Sequence, residues 1–240
     1  MNRLFCILLI YSGLLWAETA NQGQAYEYFL KGEYALLHNN FLQAESDLSK
    51  ALSMAPDSPT ILQSLVDLKS NQGEYSEAIK YLEKIIELTP ENKESGLKLF
   101  QLYIQEGNMD YAHELLENLT KYYPSDIELL YARANFQHLS QDWPSLLNTY
   151  HSIYLIDTNN TDVLIKIYEI GLVTGHESII LGILKKILIE NETPKVIEIL
   201  VELLYGMNEY SEAIYYIQKL MEMDGTSDPR TIRMGEVYLL

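Results

Sequence analysis

The chain has 240 residues, 48% of them hydrophobic and 21% charged, with only 12 glycines and 7 prolines. That balance excludes a disordered tail, and no sustained apolar–polar alternation marks a β-strand, so the chain reads as all-α. A formal net charge of −17 argues against nucleic acid, whose binding by counterion release needs a Lys/Arg surface. It argues equally against docking of the folded body on anionic membranes. Solubility is the plainest reading of the acidity, and a preference for basic partners is the sharper one.

Residues 1–17 stand apart. A short basic start, Met1-Asn2-Arg3, precedes an apolar run over 4–16, and Ala17 follows. The run is too short to span a bilayer comfortably and fits a secretory signal segment. Bulky Leu15 three residues before a cut after Ala17 makes that site imperfect, and an uncleaved N-terminal anchor is the alternative. Cys6 is the single cysteine and lies within this segment, too early for a lipidation site, so a mature chain would carry no thiol chemistry. Residues 18–24 read as a short linker.

The next signal is the stretch 59–90. Leu62, Leu65, Val66 and Leu68 recur at helical spacing, then Ala78, Leu82, Ile85 and Ile86, with a break at 71–74. A break that short makes an antiparallel helix hairpin. A lone hairpin cannot bury its apolar face, and copies follow every 34 residues: Ala44, Ala51 and Pro56, then Ala78, Ile85 and Pro90, then Ala112, Leu119 and Pro124. The alanines allow close helix approach, the prolines end each unit, and Gly73 and Gly107 supply the turn.

With these residues in place, the chain resembles the tetratricopeptide repeat family. Leu62, Leu65, Val66, Gly73, Tyr75, Ala78, Leu82 and Pro90 occupy its pattern, and Leu99, Phe100, Tyr103, Gly107, Ala112, Leu116 and Pro124 do so again. The resemblance implies a right-handed α-solenoid of stacked antiparallel hairpins over 25–240. Its units fall near 25–58, 59–92, 93–126, 127–160, 161–193 and 194–227, with a terminal half-unit at 228–240. Trp143-Pro144 opens the second helix of the fourth unit, where a first-turn proline is tolerated. The fifth unit is one residue short, lacks its terminal proline, and has Ile180 where the small residue belongs, so a wider helix spacing or altered twist is expected there. The apolar ending Val237-Tyr238-Leu239-Leu240 points to self-association through the last helix, or to truncation of a longer protein.

No arrangement for catalysis stands out. The five histidines form no His-Glu-x-x-His pair, and neither a phosphate loop nor a nucleophile elbow is present. The Asn-x-Thr triplets at 118, 159 and 191 read as chance. No enzyme, metal or cofactor is expected.

The resemblance implies instead a concave groove lined by first helices at positions two, five, nine and twelve of each repeat. Mapped here, these positions include the candidate groove residues Tyr26, Phe29, Gln63, Asp67, Gln101, Tyr131, Asn135, His138, Glu169, Glu198, Glu202 and Tyr205. Amides would hold an extended peptide's backbone, aromatics its apolar or proline side chains, and carboxylates its Lys/Arg. The bland alternative is a set of ordinary solvated positions. A chaperone-tail clamp of Lys and Asn is not matched, since Phe29, Glu33 and Ser64 stand there and only Lys98 and Arg133 bring charge.

The sequence thus points to an exported, periplasmic or envelope-associated, non-catalytic scaffold binding a neutral-to-basic protein or peptide. Its alternatives are an oligomerisation or adaptor part of a larger secreted assembly, and a recruiting part of a truncated envelope enzyme.

Overall fold

Capping side chains and hairpin turns recur along the described residues at the repeat spacing. The computed structural model describes residues 22–224, and twelve helices lie among them. They are α1 (22–37), α2 (Phe41–Met54), α3 (Pro59–Gln72), α4 (Tyr75–Leu88), α5 (Lys93–Gln105) and α6 (Met109–Tyr122). The second set is α7 (Ile127–Leu139), α8 (Trp143–Ile156), α9 (Thr161–Val173), α10 (Glu177–Glu190), α11 (Pro194–Gly206) and α12 (Tyr210–Asp224). The helix of α1 already runs at 22–24, the end of the expected linker, where nothing in Gln22-Gly23-Gln24 breaks it. The signal segment and the terminal half-unit at 228–240 lie outside the described residues.

Ser58, Asn92, Asp126, Asn160 and Thr193 cap α3, α5, α7, α9 and α11, each side chain accepting a hydrogen bond from a backbone N–H of the first turn. The hairpin turns form a second series. Asn39, Gly73, Gly107, Gln141, Gly175 and Asn208 all have positive φ, between 55° and 76°. Only glycine takes that conformation freely, so Gln141 carries strain. Gln141→Gly should therefore stabilise the fold by about 1 kcal/mol and raise the melting midpoint by about 2–4 °C. A lowered midpoint would contradict that account.

The two series also locate the missing residue of the fifth unit. Helix ends at Ala55, Thr89, Asp157 and Asn191 stay in step, whereas the cap after Asn191 arrives at Thr193. The inter-hairpin loop is shortened and both helices keep their length.

The chain divides into two compact units, one ending at Tyr122 and one beginning at Tyr123. In the first, α2, α3, α4, α5 and α6 pack each on the next, with Ala44, Leu48, Leu65, Ala78 and Leu82 fully buried. In the second, α7 to α12 do likewise around Leu147, Ile167, Leu184 and Leu200.

One register position explains why the repeats look degenerate. Ala35, Lys69, Tyr103, Gln137, Gly171 and Leu204 all lie near the C-terminal end of a first helix and all are buried. Each solves the same packing problem differently. Lys69 reaches Glu45 at 2.7 Å and Glu74 at 2.8 Å. The Gln137 amide nitrogen donates to Thr149 Oγ1 at 2.7 Å and to the Ser145 carbonyl at 3.3 Å, the orientation that also lets its oxygen accept from Arg133 Nε at 3.2 Å. At Gly171 an added β-carbon would stand 2.3 Å from Ile180 Cγ1. This corrects the expected wider spacing in the fifth unit. The close approach survives with the sizes exchanged, the small residue on α9 and the large one on α10.

Candidate functional site

The twelve candidate groove residues all fall on first helices, and none is buried. Their helices are α1 for Tyr26 and Phe29, α3 for Gln63 and Asp67, and α5 for Gln101. In the second unit they are α7 for Tyr131, Asn135 and His138, α9 for Glu169, and α11 for Glu198, Glu202 and Tyr205. An i, i+4 spacing along a helix puts such residues on one face, which is why a repeat register selects a surface.

In the first unit that face has two parts. Tyr26 and Phe29, with ring centroids 6.3 Å apart, line a cavity of about 260 Å³ together with Ala25, Ala55, Thr60 and Ile61. Beside it runs a polar cluster between α3 and α5. Gln63 Nε2 donates to Asp67 Oδ1 at 3.2 Å, Ser95 Oγ donates to Gln63 Oε1 at 3.3 Å, and Lys98 Nζ donates to Asp67 Oδ1 at 2.6 Å. The Asp67 carboxylate thus already holds a cation, so a partner's Lys or Arg would compete with Lys98 for it. Ser95 and Lys98 were not among the sequence candidates. Their offsets of about one repeat from Gln63 and Asp67 are the signal that could have found them. On α1, Glu33 carries a buried carboxylate oxygen that accepts no hydrogen bond from the described residues.

The second unit is plainer. Glu169 and Glu202 are exposed and form no ion pair among the described residues, while Glu198 meets only Lys195, at 3.4 Å. His138 and Tyr205 sit at the hairpin tips, edge-on to Trp143 and Tyr210 with centroids at 5.5 and 5.3 Å. These two rings are held by the turn, whereas Tyr131 and Asn135 lie mid-helix.

Among the described residues no three His, Cys, Asp or Glu side chains are grouped to hold a metal ion, and no helix is long and apolar enough to cross a membrane. His151 is a partly buried histidine of α8, its pKa pushed down by burial and then by Lys186.

The family model for the tetratricopeptide repeat matches residues 35–87 and 71–136. Residues 35–136 are tetratricopeptide repeats. The fold extends beyond them. A crystal structure of a tetratricopeptide repeat protein from Parabacteroides merdae aligns over 95% of this chain and 90% of its own, with 15% identity and a TM-score of 0.50. YrrB, a tetratricopeptide repeat protein with an unusual peptide-binding site, aligns over 81% and 97% with 16% identity and a TM-score of 0.52. A chain in the structure of Naa15/Naa10 bound to HypK-THB aligns over 95% of this chain but 35% of its own, with 16% identity and a TM-score of 0.55. No curated protein matches the sequence. The all-α solenoid class read from the sequence holds, and the tetratricopeptide repeat assignment holds over residues 35–136. Proteins of this repeat are generally non-catalytic and bind protein or peptide partners, and the architecture here is that of a protein–protein interaction scaffold.

Proposed function

We propose that the chain is an exported scaffold of the cell envelope that holds an extended, neutral-to-basic segment of a partner protein on its first-helix faces. One register carries this reading. Glu33, Asp67, Gln101, Asn135, Glu169 and Glu202 occupy the same position of successive first helices, and every one offers a hydrogen-bond acceptor. Carboxylates there favour Lys and Arg, and the amides at Gln101 and Asn135 suit a peptide backbone. The cavity at Tyr26 and Phe29 suits an apolar or proline side chain. YrrB, whose fold is similar, has a peptide-binding site of its own. Export rests on the apolar run at 4–16 ending in Ala17.

The test is selection of a random dodecapeptide display library on the chain and on its Glu169→Lys/Glu202→Lys variant. Enriched peptides should carry net positive charge with interspersed apolar residues. Each exposed charge reversal should weaken them about two- to fivefold, and the pair about tenfold. Enrichment of acidic peptides, or equal binding both to this variant and to Asp67→Lys in the first unit, would refute the proposal.

A further inference from the structure

The first unit holds a further concavity, on the side of its second helices. Where α4, α5 and α6 meet, Glu83, Tyr103, Tyr111 and Glu114 surround a cleft of about 220 Å³ with an apolar floor that includes Ile86 and Leu115. It has room for a single side chain. The Tyr103 and Tyr111 rings stand 5.6 Å apart with their planes inclined by 32°, a tilted aromatic pair that lines the cleft. The Tyr103 hydroxyl donates to Glu83 Oε1 at 2.7 Å, which fixes that carboxylate at the rim. Burial and then Glu83 itself push the Tyr103 pKa up, so the hydroxyl remains a donor. Tyr111 is 63% exposed, so its side chain is accessible to a ligand in the cleft. No lysine or arginine lines the cleft.

The geometry points to this cleft as a site for an arginine side chain of a partner protein, separate from the first-helix face. A guanidinium satisfies both halves of the lining. Its plane stacks on a tyrosine ring, and its fork of N–H donors meets carboxylates at two edges. An ammonium would use the carboxylates but not the planar stacking.

The test is an NMR titration of the full chain with Nα-acetyl-L-arginine methylamide, following the ring resonances of Tyr103 and Tyr111. The matched citrulline, lysine and guanidinium-chloride titrations run beside it. Saturable shifts with the arginine probe are expected, with at least tenfold weaker binding of neutral citrulline. Weaker binding of free guanidinium would show that the side-chain stem contributes and that a protein residue is the source. Tyr111→Ala and Glu114→Gln, both at exposed positions, should each weaken binding about fivefold without shifting the melting midpoint. Glu222→Lys, exposed on α12 of the other unit, should leave it unchanged. Absence of shifts at tens of millimolar probe, equal binding of citrulline, or a lysine preference would overturn the assignment.

Discussion

Replacing Gly171 by alanine should destabilise the second unit by about 2–3 kcal/mol, although the change adds one methyl group. The β-carbon would lie 2.3 Å from Ile180 Cγ1 and 2.4 Å from Cδ1, and Ile180 is fully buried. It has little room to yield, because Leu147, Leu184 and Ile187 share its cluster. Overpacking of a filled core typically costs about 1–3 kcal/mol. Ile180→Ala alone opens a cavity and should cost about 2–5 kcal/mol. Combined, the two substitutions give alanine at both register positions, the pairing that the first hairpin has in Ala35 and Ala44. The double variant should then be no less stable than Ile180→Ala by itself, a coupling of about 2 kcal/mol measurable by urea denaturation. Strict additivity would show that the exchange of sizes is incidental.

Lys69→Ala should cost about 2–3 kcal/mol in the first unit. Lys69 is 6% exposed, and its ammonium joins Glu45 of α2 to Glu74 at the α3–α4 turn. Truncation removes the stem's packing and leaves two acidic groups facing each other, an effect moderated because both glutamates are partly solvated. Lys69→Met keeps the stem and should lose only about 1 kcal/mol, which separates charge from packing. Burial alone would pull the Lys69 pKa down, but hydrogen bonds to Glu45 and Glu74 outweigh it and hold it above its ordinary 10.5. A raised folded-state pKa stabilises the fold at every pH below the unfolded value, and that contribution disappears as pH climbs through the folded one. The stability gap between the chain and Lys69→Met should therefore stay flat from about pH 7 to 9 and narrow above about 10.5. A gap that widens in alkali would contradict the ion-pair role.

The repeat period was legible because its markers are chemically singular. Alanine at 44, 78 and 112, proline at 56, 90 and 124, and glycine at 73 and 107 each answer a geometric demand few residues meet. Gln141 and Asn208 occupy the same left-handed turn without that signature, so the turn is visible only in the backbone. The register of Lys69, Tyr103, Gln137 and Gly171 was illegible for another reason. Its members share burial and no chemistry, since each was fitted to a different neighbour. The wider spacing expected at Ile180 does not occur, because the compensating glycine lies on the opposite helix. For the candidate site, one-dimensional register was enough to choose helices and faces. It could not show Lys98 on Asp67, nor the aromatic–acidic cleft at Tyr103, which depend on side chains from separate helices meeting.

The most direct test of peptide capture by the first helices is photo-crosslinking. A library-selected basic peptide would carry a benzophenone side chain at successive positions, with adducts on the chain mapped by mass spectrometry. Adducts should fall on α1, α3 and α5, or on α7, α9 and α11, near residues such as Phe29, Gln63, Tyr131 and Glu202, and should fade as salt is raised. Adducts confined to the second helices α2, α4, α6, α8, α10 and α12 would contradict the account.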